Sequence, residues 1–155
     1  MRSAWPTTFL LTFSLCLGQG TGNSSRIVFV CEHGSAKSMI AAQYFEQLAR
    51  KNGLAFTAIS RGTDPEPQLN EATKKGLLKD GFDISHLTPR RLTSTDTEGA
   101  PMVISFGPDV SGVTKPGVRI ERWPDTPSVT ENYDRARDYI VKQLQVLIRD
   151  LKDKK

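Results

Sequence analysis

Apolar and polar residues alternate in two periods along this chain, and the switch between them comes early. Ile27-Val28-Phe29-Val30 is an unbroken apolar run rich in β-branching, as a strand buried on both faces requires. From Ser38 the spacing becomes helical, with Ile40, Ala41, Tyr44, Phe45 and Leu48 on one face. Asn52-Gly53 stops that helix, and Leu54 to Ile59 reads as a second strand. Asp64-Pro65-Glu66-Pro67 forms a rigid turn, after which Asn70 caps a helix running to Asp80 and ended by Gly81. Strands are expected over 101–106 and 118–123. Ser128-Val129-Thr130-Glu131 is a capping box opening a last helix, whose stripe is Tyr133, Ala136, Ile140, Leu144, Leu147 and Leu151. Strand and helix alternate throughout, which predicts an α/β fold: a four-stranded parallel sheet with helices on both faces.

The start of the chain follows another pattern. Arg2 precedes an apolar run over 9–17, too short to span a bilayer comfortably, and the small residues Gly18 and Gly20 follow it. A signal peptide over residues 1–20 is expected, with export to the periplasm or outside the cell. Left uncut, it would be a membrane anchor and the expected membrane contact of the protein. Residues 26–152 then form one domain.

Composition narrows the classes. The chain has 155 residues, a quarter of them charged, enough for one domain with a core of its own. Its net charge of +4 is mild, and three of its lysines sit at Lys152, Lys154 and Lys155, where they suit a solvated helix end. No alternation of aromatic and basic residues points to nucleic acid. Of the two cysteines, Cys16 leaves with the signal, so Cys31 stands alone without a disulfide partner. A lone thiol is a liability in an oxidising compartment, so its place directly after the first strand favours chemistry over packing. Two histidines and one cysteine at unrelated spacings make no metal site, and no cofactor is expected.

The chemistry gathers in Cys31-Glu32-His33-Gly34-Ser35-Ala36-Lys37-Ser38. A strand-to-loop-to-helix turn points backbone N–H groups inward at the helix N-terminus and makes a seat for an anion. The same field favours thiolate over thiol, which makes Cys31 a candidate nucleophile. A cation at a helix N-terminus opposes the dipole, so Lys37 is best explained by an anion partner.

This segment resembles the phosphate-binding loop of low-molecular-weight protein tyrosine phosphatases and of the arsenate reductases that share their fold. The family shows Cys, five residues, Arg and then Ser or Thr after its first strand; here Cys31, five residues, Lys37 and Ser38 stand in that order. The resemblance continues through Ser60-Arg61-Gly62-Thr63, through His86-Leu87-Thr88-Pro89-Arg90-Arg91-Leu92 and through Trp123-Pro124-Asp125-Thr126-Pro127, covering residues 26–151. It implies a flavodoxin-like strand order, 2-1-3-4. It also implies hydrolysis of phosphotyrosine-type monoesters through a phosphocysteine on Cys31, with Asp125 as proton donor and Ser38 donating to the sulfur. Glu32, His33, Gly34, Ser35, Ala36 and Lys37 would surround the oxyanion, and Ser60 and Thr63 would buttress the loop. The implied partner is a phosphorylated protein or a small phosphate or arsenate oxyanion, bound by a monomer.

Lysine in place of the family arginine supplies a point charge without a planar fork. Gly34 stands where the family usually has an asparagine, and it tolerates left-handed backbone better. Two alternatives stay open. One is an arsenate reductase using an external thiol, since relay reductases bring two further cysteines that this sequence lacks. The other is an oxyanion- or phosphopeptide-binding module without turnover.

Overall fold

β1 (Ser25–Cys31) takes the centre of the sheet because both of its faces are apolar. Ile27, Phe29 and Cys31 turn to one side and Val28 and Val30 to the other, all buried. In the computed structural model, which describes residues 25–154, the elements that follow are α1 (Lys37–Lys51), β2 (Phe56–Gly62), α2 (Glu71–Lys79), α3 (Ser94–Thr97), β3 (Met102–Ser105), β4 (Arg119–Arg122) and α4 (Tyr133–Asp153). The leader expected over residues 1–20 lies outside the described residues. The four strands are parallel in the order β2-β1-β3-β4, as the resemblance implied, with Val28 beside both Ile59 and Val103. β4 lies at the margin, four residues long, with Arg119 and Arg122 exposed.

The two faces are filled unequally. Ile40 and Phe45 of α1, Leu77 of α2 and Ile140 and Leu144 of α4 pack over Ile27 and Phe29. Opposite them, Val28, Val30 and Val103 meet Val110 and the residues that flank α3, Leu92 and Ala100. Trp123 closes the first face at the end of β4, its ring edge-on to Phe106 at 5.6 Å and 6.3 Å from Phe29.

Two elements are bounded differently from the expectation by more than a residue, and one element is new. β2 pairs from Phe56 to Gly62, so it starts later and carries Ser60 to Gly62 inside the ladder. α4 begins at Tyr133, because extended Asn132 accepts from the Arg135 N–H at 2.9 Å and is the cap. Ser128 instead closes a separate turn with the Glu131 N–H. α3 was not expected: Thr93 and Asp96 form a capping box, but four polar residues offer no apolar period.

α1, α2 and α4 meet at Asp80. Its carboxylate accepts from the Tyr44 and Tyr133 hydroxyls, each at 2.7 Å, and from Arg137 Nη1 at 3.1 Å. Gly76 leaves the room: a methyl there would stand 2.3 Å from the Tyr133 ring. Burial works to raise the Asp80 pKa, but these three donors outweigh it and hold the carboxyl below its ordinary range. Burial and then that carboxylate push both tyrosines up.

Asp80→Asn should therefore cost about 2 kcal/mol at neutral pH, the size of lost charge-assisted hydrogen bonds. A carboxyl whose folded pKa lies below its unfolded one stabilises fully above about pH 4, and that contribution is lost as pH falls through the folded value. Urea titrations of the two proteins should differ at pH 7 and converge in acid. A gap of the same size at both ends would contradict the charge-based account.

Candidate active site

Parallel strands end on one side of the sheet, and a cleft of about 490 Å³ opens there. Each of the four loops contributes to it. Cys31, Glu32, His33, Ser35, Ala36 and Lys37 come from the loop after β1, and Thr63, Glu66 and Asn70 follow β2. Phe106, Gly107 and Pro108 follow β3, and Ser128, Val129 and Thr130 follow β4.

The floor is set by α1. Ala36 precedes it, no side chain caps it and no acidic residue occupies its first turn. Its leading N–H groups thus keep their donor capacity for an anion. Cys31 Sγ lies 3.0 Å from Ser38 Oγ, Ser38 Oγ lies 2.8 Å from Ser60 Oγ, and the Ser60 hydroxyl donates to the Gly34 carbonyl at 3.3 Å. All three side chains are buried. In one proton arrangement each group donates away from the sulfur. Shifting each hydroxyl proton the other way aims Ser38 at a thiolate, at the expense only of the long bond to Gly34.

The loop's path depends on two glycines. Gly34 has φ +63°, the left-handed region, as expected of the residue in the asparagine's place. Gly62 faces it so closely that a methyl on Gly62 would stand 2.7 Å from the Gly34 nitrogen and 2.9 Å from the Glu32 oxygen. Beyond that approach the two loops join by backbone bonds: Thr63 N–H to Cys31 at 3.2 Å, Asp64 N–H to Glu32 at 2.8 Å and Glu66 N–H to His33 at 3.1 Å. The Thr63 hydroxyl reaches the Glu32 carbonyl at 3.5 Å. Ser60 and Thr63 are thus where buttressing residues were expected.

Charged groups are arranged less simply. Lys37 lines the cleft, and its ammonium donates to the Thr126 carbonyl at 2.7 Å. Asp125, the expected proton donor, is exposed and is not among the residues lining the cleft. Glu32 is 71% exposed on its side chain, as a carboxylate beside an anion seat should be. Nδ1 of His33 lies 3.2 Å from the Asp64 carbonyl. That bond raises the His33 pKa, slight burial opposes it, and the carboxylates of Glu32, Glu66 and Asp64 add to the rise.

Several contributors had no signal of their own. Glu66 accepts from the Ser35 hydroxyl across a separation of 31 residues, though in the sequence it marks only a proline-rich turn. The Thr126 carbonyl is a backbone group that no motif reports. Arg61, where the resembling family has alanine, is paired with Asp96 at 2.7 Å, both largely buried. Burial opposes ionisation of Asp96, but Arg61 and Thr93 hold its carboxyl below the ordinary range. The spacing Thr93-x-x-Asp96 is the one signal that could have found that partner.

Residues 26–112, more than half of the chain, match the family described as low molecular weight phosphotyrosine protein phosphatase. The chain belongs to that family. Over 103 residues it is 21% identical to a putative arsenate reductase of Halobacterium salinarum, covering 65% of this chain and 72% of that protein. Among solved structures it is similar to the thioredoxin-dependent arsenate reductase of Corynebacterium glutamicum, with a TM-score of 0.72, 19% identity and coverage of 89% of this chain and 67% of that one. It is likewise similar to a low molecular weight protein tyrosine phosphatase of Bacillus subtilis, with a TM-score of 0.68, 20% identity and coverage of 83% and 97%. At these identities the structures speak for the fold.

Proposed function

We propose that the protein is a cysteine-dependent phosphomonoester hydrolase acting on aryl phosphates of the phosphotyrosine type. The observation that carries this reading is the hydrogen-bonded chain from Cys31, which lines the cleft, to buried Ser38 and Ser60 behind it, beside the uncapped start of α1. Substrate oxygens take the leading N–H groups of α1 and the free donors of Lys37. The Cys31 thiolate attacks phosphorus, the S–P bond forms and the bond to the leaving oxygen breaks, with Asp125 giving that oxygen a proton. Water then attacks phosphorus, Asp125 takes its proton and Ser38 donates to the departing sulfur. Inorganic phosphate and the starting enzyme result.

Arsenate reduction is the second reading, supported by the named relatives. It uses the same cradle to form a cysteine–arsenic adduct. Cys31 is the one cysteine among the described residues, so an external thiol would have to resolve that adduct.

The full chain, kept reduced, decides between them. Hydrolysis of p-nitrophenyl phosphate without arsenate-dependent oxidation of thioredoxin or glutathione is the expected result. The reverse pattern would establish the reductase, and phosphate binding without either activity would leave a binding module.

A further inference from the structure

The bond from Lys37 to Thr126 joins residues 89 positions apart. Among the described residues it is the one hydrogen bond between residues 31–38 and the segment 123–130. That segment is stiff. Pro124 and Pro127 bracket Asp125 and Thr126 within it, and the Thr126 hydroxyl folds back on the Trp123 carbonyl at 3.0 Å. Trp123 is fixed in turn against Phe29 and Phe106. Thr126 itself is 4% exposed, while Asp125, its neighbour, is exposed. Holding the Thr126 carbonyl therefore sets the place of Asp125, its neighbour at the middle of the turn.

An ammonium group has three N–H donors, and the Thr126 carbonyl takes one. The other two stay available to an oxyanion at the helix start. A lysine can divide its donors in this way because they point in different directions, whereas the arginine fork is planar. The substitution that sets this chain apart from the resembling loops thus does a second thing: it connects the anion seat to the turn that bears Asp125.

We propose that Lys37 is a positioning residue for Asp125, holding the turn 123–127 so that the carboxyl meets the leaving oxygen when the anion is seated. This rests on the reading of Asp125 as proton donor given above. It makes a distinctive demand on rates. A good leaving group departs without a proton, and a poor one needs it.

The test compares dinitrophenyl phosphate with phenyl phosphate in the wild type, Asp125→Asn, Lys37→Met and the double variant. Asp125→Asn should lose about a hundredfold more on phenyl phosphate than on dinitrophenyl phosphate. Lys37→Met should show the same excess loss on the poor leaving group, with no further excess in the double variant, and Lys37→Arg should restore the rate on dinitrophenyl phosphate while keeping that excess. Equal losses on both substrates in Lys37→Met, multiplying with those of Asp125→Asn, would overturn the proposal and leave Lys37 acting on the oxyanion alone. An Asp125→Asn variant that treats both substrates alike would instead sink the proton-donor reading.

A second measurement does not depend on turnover. Backbone order parameters of Asp125 and Thr126, read by NMR with inorganic phosphate bound, should fall from about 0.85 to below about 0.6 in Lys37→Met. Unchanged order parameters there would overturn the positioning role whatever the activity.

Discussion

Serine in place of Cys31 is expected to lower aryl phosphate hydrolysis by at least about a thousandfold, as removal of a nucleophile does in enzymes whose site acts as a unit. The reason lies in what surrounds the atom. Cys31 Sγ has Ser38 Oγ at 3.0 Å, and behind it stand only Ser60 and the Gly34 carbonyl. That row of neutral hydroxyls can donate to an anion already formed. It holds no base that could strip a proton from an alcohol. The smaller serine oxygen fits the same buried place, so thermal unfolding should shift little. Inorganic phosphate should still bind, because the α1 N–H groups and Lys37 are untouched. A variant retaining a tenth of the activity would place the nucleophile elsewhere. Loss of phosphate binding together with turnover would mean that the cradle, rather than the chemistry, had been damaged.

Gly62→Ala should be the most damaging change at a position carrying no reactive group. The added methyl would meet the Gly34 nitrogen at 2.7 Å, the His33 carbonyl carbon at 2.8 Å and the Glu32 oxygen at 2.9 Å. All three are backbone atoms of the loop between β1 and α1, so no side chain can swing aside. Gly62 cannot retreat either, since its N–H donates to Arg90 and its carbonyl accepts from Leu92, each at 2.8 Å. Overpacking of this kind costs about 3 kcal/mol. Relief by moving the loop would open the backbone bonds from Thr63, Asp64 and Glu66. Thermal unfolding and phosphate affinity should therefore fall together. Gly112→Ala, where a methyl would meet nothing within 4 Å, should change neither. A Gly62→Ala protein with normal stability and normal affinity would show that the two loops are less tightly opposed than described.

The parts of this molecule that could be read in advance are those whose cause is local. Ile27 to Val30 announced a strand buried on both sides, and Asn70 announced a cap that it makes through the N–H groups of Ala72 and Thr73. The loop between Cys31 and Ser38 was legible because cysteine, glycine, lysine and hydroxyl fall within eight residues of one another. Errors came where a local signal met a competitor. Ser128 and Glu131 have capping-box spacing, but Asn132 is extended and caps the helix that starts after it. Leu54 has strand propensity, yet its N–H returns to Ala49 at 2.9 Å and closes the end of α1. Within the site, Glu66 on Ser35 and the Thr126 carbonyl on Lys37 were hidden because each partnership is made only when distant loops converge.

One consequence of the sheet's margin concerns crowding rather than catalysis. A marginal strand offers unpaired N–H and C=O groups to any other chain that can lie beside it. β4 is only four residues long, and two of those four are exposed arginines, each paired sideways to a carboxylate: Arg119 to Glu121 at 3.1 Å and Arg122 to Asp109 at 3.0 Å. A second copy adding its own β4 there would set arginine against arginine and displace these ion pairs, for a short ladder in return. The margin nearest the Trp123 turn is thus guarded against strand-by-strand stacking, and the loops that line the cleft can remain open to solvent without this edge recruiting a neighbour.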